Sequence, residues 1–78
     1  MNDNAIINTR LEELFKILDP RLYLTIFKKT EDDKEELLRS TNLYNLLSDD
    51  NFIGKYGDYK VIGLTIIVGH TSLLIKEG

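Results

Sequence analysis

The sequence predicts a small α+β domain, with an antiparallel β-sheet of about four strands, an N-terminal helix packed on one face and a short second helix. Three observations lead there. Ile7, Leu11, Leu14 and Leu18 recur at intervals of four, three and four residues, the spacing of one helical stripe. Leu22–Phe27 and Lys60–Val68 are rich in β-branched and aromatic residues with a period of two, the pattern of half-buried strands. The chain has 78 residues and carries no repeat and no Pro-, Gly- or Ser-rich linker, so residues 1–78 read as a single domain.

Each element follows in order. The first stripe is widened by Ile6, Phe15 and Ile17, while Arg10, Glu12, Glu13 and Lys16 take the opposite side. Thr9 and Glu12 have capping-box spacing, with Asp3 as an alternative cap. Pro20 disfavours helical geometry at Asp19 and stops the helix near Leu18. Leu22, Leu24 and Ile26 then face the core, and Tyr23, Thr25 and Phe27 form a second, partly apolar face that asks for a cover. The charged stretch from Lys28 to Glu35 admits two readings: the start of a long helix through Leu47, or a hairpin turn into a strand near Glu36–Ser40. The break at Ser40-Thr41-Asn42, with Thr41 as an N-cap, favours the second, with a short helix over Asn42–Leu47. Ser48–Asn51 reads as a turn, and Gly54 and Gly57 predict an irregular loop. In the last part, Ile62, Leu64, Ile66 and Val68 fall on one face and Val61, Gly63, Thr65 and Ile67 on the other. Gly69-His70-Thr71 makes the turn, and Ser72–Lys76 pairs back.

A domain of this size buries only about 60% of its unfolded surface and often needs a support. With no Cys and one His, disulfides, thiolate metal sites and multi-His sites are excluded. Good packing or a homodimer remains. The net charge of −3 and pI near 5.0 argue against nucleic acid as the direct ligand, because that affinity comes largely from Lys and Arg. No signal-peptide pattern opens the chain, and no apolar run approaches the roughly 20 residues of a membrane span. The expected compartment is the cytoplasm, without membrane contact.

No catalytic, cofactor-binding or metal-binding residue is expected. His70 and Ser72 would need a third group to make a nucleophile and base, and a hairpin turn rarely holds one. The acidic pairs Asp32-Asp33, Glu35-Glu36 and Asp49-Asp50 lack the spacing of a calcium loop. Gly54-Lys55-Tyr56-Gly57 matches the nucleic-acid-clamping GxxG in letters only, since a strand should follow it. The Lys28, Lys29, Lys34, Arg39 cluster is interleaved with acids. What stands out is an aromatic, glycine-flanked stretch, Phe52, Lys55, Tyr56 and Tyr59, of the composition enriched at interfaces. With the acidic turn Glu31, Asp32 and Asp33, it forms the expected partner-binding set.

The order of elements carries a resemblance. A Leu-rich helix ends in Leu18-Asp19-Pro20; an alternating strand, a polar turn, a short segment with Leu43, Leu46 and Leu47, and a closing hairpin follow. This resembles a group of short uncharacterised proteins carried by phages and prophages of low-GC Gram-positive bacteria, over about Leu11 to Ile75. The resemblance implies a phage or mobile-element setting in a bacterial host cell. Small acidic proteins in that setting often occlude a site on another protein, as inhibitors of CRISPR nucleases do. The acidic residues here form no continuous stripe, so their patterning does not by itself point to DNA mimicry. The expected function is therefore a protein-binding module that inhibits a host defence enzyme, not an enzyme itself. Two alternatives stand beside it: a self-associating accessory protein pairing through Thr65, Ile67 and Leu74, and a weak nucleic-acid binder using Lys55, Lys60 and the nearby tyrosines.

Overall fold

A computed structural model describes residues 9–67 and 70–77. The α+β class holds, but the sheet has five strands and is mixed. Strand β1 covers Thr9–Arg10, β2 Tyr23–Lys29, β3 Glu35–Asn42, β4 Lys60–Ile67 and β5 His70–Lys76. Their order in the sheet is β1-β4-β5-β2-β3. The hairpins β2–β3 and β4–β5 are antiparallel as expected, and β1 is antiparallel to β4. The two hairpins join through a parallel pair, β2 with β5. Parallel neighbours need a long crossover, and β3, β4 and the two helices between them supply it.

Three short helices, α1 (Leu11–Phe15), α2 (Leu43–Leu47) and α3 (Asp50–Tyr56), cover one face of the sheet. Leu11, Leu14 and Phe15 of α1, Leu43 and Leu46 of α2 and Phe52 of α3 close on Leu24, Ile26, Val61, Leu73 and Ile75. Leu22 packs against the edge of this cluster. The expected inward set of β2 is therefore correct, as are the strand before Asn42 and the short helix after it.

The first helix departs from expectation. Its described part ends at Phe15, with Lys16 and Ile17 in a turn that bonds back to Glu13 and Leu14. Ile6 and Ile7 lie outside the described residues, as does the alternative cap Asp3. Thr9 is in β1, not a cap, and Arg10 at the cap position offers no side-chain bond. None is needed: the N–H groups of Leu11 and Glu12 donate to the carbonyls of Tyr59 (2.8 Å) and Gly57 (3.0 Å). Helix α2 is started the same way. Leu43 and Tyr44 donate to the carbonyls of Leu22 and Pro20, both at 2.8 Å, so Thr41 does not cap and instead accepts from Asn45. Backbone carbonyls brought by tertiary structure satisfy the orphan donors of a helix start as well as a side chain does.

The expected irregular loop around Gly54 is helix α3. Asp49 caps it, accepting from Phe52 N at 3.1 Å. Gly57 ends it, and a Cβ there would sit 2.5 Å from the Ile53 carbonyl oxygen. Strand β4 carries the other correction. A bulge between Val61 and Gly63 leaves Ile62 as an extra residue, and an extra residue inverts the alternation. Val61 therefore joins Leu64 against the core and Ile62 turns to the other side, while Ile66, beyond the end of the core, is exposed. Val68 and Gly69 lie outside the described residues, while His70 and Thr71 belong to β5. Among the described residues no helix is long and apolar enough to cross a membrane.

The turn into β2 is held by Asp19. Its carboxylate accepts from the backbone N–H of Arg21 (2.9 Å) and from the Arg21 guanidinium (2.9 and 3.2 Å). The guanidinium bond, helped by the backbone one, lowers the Asp19 pKa from 3.8 to about 2. A depressed carboxylate stabilises the fold above its unfolded pKa and loses that contribution as pH falls through the folded value. Acidification across that interval should thus lower the Tm of the wild type more than that of Asp19→Asn, whose side chain does not titrate. Thermal melts of the two proteins between pH 5 and pH 2 check this.

Candidate interaction surface

No described element covers the second face of the sheet, and the strand registers define it residue by residue. Paired residues point to the same side of a sheet, so the register reads out as rows running across β4, β5, β2 and β3. The first row is Lys60, Lys76, Lys29 and Glu35. The second is Gly63, Leu74, Phe27 and Leu37. The third is Thr65, Ser72, Thr25 and Ser40. In the fourth, His70, Tyr23 and Asn42 stand beside the end of β4. The uncovered face is thus banded: a cationic end, an apolar row, a hydroxyl row and an aromatic–imidazole end.

The bands differ in how they are satisfied. Leu37 is 57% exposed, and Phe27 and Leu74 are half-buried. Phe27 and Leu74, with Glu35, Gly63, Thr65 and Ser72, line a shallow groove of about 160 Å³. Leu37 sits at a second bulge, where Leu38 turns back toward the core. The hydroxyl and aromatic bands are tied together. Thr25 Oγ1 lies 2.6 Å from His70 Nε2 and 3.0 Å from Ser40 Oγ. Ser40 Oγ donates to Tyr23 OH, which donates to the Ser40 carbonyl. Donation must then run in one direction, from His70 Nε2–H to Thr25, to Ser40, to Tyr23. That order leaves Nε2 no lone pair with which to take a proton from Thr25. The network orders side chains on the face; it is not a nucleophile with its base. It also explains how Thr25 is only 9% exposed on an uncovered face.

At the cationic end, Lys60 and Lys76 stand directly opposite each other, and neither has an ion-pair partner among the described residues. Lys29 is paired with Asp33 at 2.8 Å, and that bond lowers the Asp33 pKa. Asp33 has φ 65°, left-handed backbone that Asp tolerates better than most residues. Like charges opposed across strands are unfavourable, and an opposite pair is worth about 0.2–1 kcal/mol. Lys60→Glu should therefore stabilise the folded monomer by about that much, read as a raised Tm in dilute solution.

The expected partner-binding residues fall in two separate places. Glu31, Asp32 and Asp33 form the tip between β2 and β3, and all three are exposed. Glu31 and Asp32, with Lys28, Lys29, Lys76 and Glu77, line an open cleft of about 530 Å³ of mixed charge. The aromatic set lies on the helical side. Phe52 is a core residue, 6% exposed, with the Arg39 guanidinium 5.3 Å above its ring. Tyr56 packs tilted against the Phe52 ring, Tyr59 meets Tyr56 edge-on, and both pack on the core. Lys55 is exposed and lies over Tyr56. Arg39, expected in a hairpin-tip cluster, reaches the helices and binds Asp49 at 2.6 Å. No hydrogen bond or ion pair joins the hairpin acids to the α3 set among the described residues. The banded face itself was foreshadowed only by the apolar second side of β2 and by Thr65 and Leu74.

No family model matches the chain, and no curated protein or solved structure matches it either.

Proposed function

We propose that this chain is a protein-binding module that acts by contact alone and occludes a site on its target. The observation that supports this best is the uncovered sheet face, with an apolar row between charged and hydroxyl bands. An apolar strip rimmed by ordered polar groups is the anatomy of a protein contact surface. The exposed acidic tip, Glu31 to Asp33, borders that face and adds a charged contact for a basic target. The phage setting implied by the resemblance makes a host defence enzyme, such as a CRISPR nuclease, the first target to try.

The test is capture from a lysate of the bacterial host by immobilised wild type and two variants, with bound proteins read by mass spectrometry. One variant carries Glu31→Lys and Asp32→Lys, the other Leu37→Asp. A specific partner held by the wild type and lost by at least one variant is the expected result. Equal capture by all three proteins would remove the proposed surface.

A further inference from the structure

We propose that the uncovered sheet face is closed by a second copy of this chain, related by a two-fold axis parallel to the strands. This rests on the reading of that face as a protein contact surface and names its occupant, which leaves the acidic tip, Glu31 to Asp33, as the part that meets a target. Such an axis keeps each row opposite itself and reverses the strand order, so β4 of one copy lies over β3 of the other. Three features of the face complement one another under that operation.

The first is charge. In the first row Lys60 of one copy comes over Glu35 of the other, and the symmetry makes the pair twice. The central lysines of the row, Lys76 and Lys29, also approach each other, but Lys29 is already paired with the Asp33 carboxylate at 2.8 Å, which offsets part of their repulsion. An axis running across the strands would instead lay the lysines over Tyr23 and His70, with no opposite charge to meet. The second is shape. In the apolar row the projecting Leu37 comes over Gly63, the one position without a side chain, and Phe27 comes over Leu74. A hollow opposite a knob is what an isologous interface requires. The third is the hydroxyl row, in which Thr65 and Ser72 meet Ser40 and Thr25 of the other copy, groups able to donate or accept.

The area is sufficient, though small. Four strands about 4.8 Å apart and four rows about 6.7 Å apart make a face of about 500 Å², or about 1,000 Å² for the pair. That is the lower limit of a specific interface, so the dimer should dissociate in the micromolar range or above. The same axis places both acidic tips at one end of the dimer, where they would face a target together. A nucleic-acid strand fits the face less well, because Glu35 and Asp33 interrupt the lysine row.

The experiment is sedimentation equilibrium from about 1 µM to about 1 mM, a range chosen around the expected affinity. The wild type should approach about 18 kDa, twice the 9.0 kDa of the chain. Lys60→Glu and Glu35→Lys should each raise the dissociation constant about tenfold or more, and the double variant should restore it. Lys60→Glu should also raise the Tm in dilute solution, which separates a lost dimer from a damaged fold. Gly63→Leu, which fills the hollow, should leave only monomer. A wild type that stays at 9.0 kDa throughout, or single variants not rescued by the double, would overturn the proposal. So would a gain in mass seen only with an added single-stranded oligonucleotide. A monomer that still captures a target would remove the second copy and leave the protein-binding reading, whereas a dimer that captures nothing would do the reverse.

Discussion

Leu73→Ala should cost about 2–5 kcal/mol, while Leu74→Ala, one residue along, should cost about 1 kcal/mol or less in the monomer. Leu73 lies in the middle strand, 1% exposed, among Leu24, Ile26, Val61 and Ile75. Deleting its isobutyl group removes transfer energy and leaves a cavity that five packed strands and three helices cannot readily collapse. Leu74 points to the other side, where it is half-buried and no described element lies above it. A domain of this length has roughly 4–12 kcal/mol of total stability, so the first change should consume much of it and the second little. Urea melts of both variants in dilute solution make the comparison. Equal losses would mean that both faces are covered within a single chain.

Phe52→Ala should be nearly as damaging, by about 3–5 kcal/mol. The ring fills the space under α3, carries the Arg39 guanidinium on its face and supports Tyr56. Arg39 would lose a cation–π contact worth about 0.5–1 kcal/mol at an exposed site, though its bond to Asp49 would remain. Phe52→Leu, which keeps most of the apolar volume, should cost distinctly less. Melting both variants decides between a core role and a contact role, because a residue reserved for a partner could be truncated without loss of Tm. This matters for the site as well as for stability. The aromatic composition that marks Phe52, Tyr56 and Tyr59 as interface-like is equally the composition of a small core that lacks Trp.

The fold was legible where the signal is local. The inward set of β2, the hairpin into β3, the short helix after Asn42 and the closing hairpin all follow from periodicity and breaks. What escaped was decided by residues distant in sequence. The helix starts at Leu11 and Leu43 are capped by carbonyls of Gly57, Tyr59, Leu22 and Pro20, so capping patterns at Thr9 and Thr41 pointed to side chains that were not needed. The glycines at 54 and 57 suggested a loop, yet Gly57 closes a helix capped by Asp49. The bulge at Ile62 switched the sides of Val61 and Ile62 without leaving a mark in the alternation. The parallel pairing of β2 with β5 has no local signature, because strand order is set by how the hairpins pack under the helices. The candidate site shares this property. Lys29, Lys60 and Lys76 are scattered in sequence, as are Thr25, Ser40 and His70, and only the registers bring each trio into a row. The acidic tip is the exception, being contiguous and plainly exposed.

The proposed contact surface is the face that the described helices leave bare. A dilution series of amide spectra, with uniformly labelled protein from about 1 mM down to about 10 µM, spans the expected dissociation range and reports on every strand at once. The expected result is concentration-dependent movement of the amide signals of Phe27, Leu37, Gly63, Thr65, Ser72 and Leu74, with those of α1, α2 and α3 unchanged. Signals that stay fixed across the series, or that move only on the helical side, would contradict it.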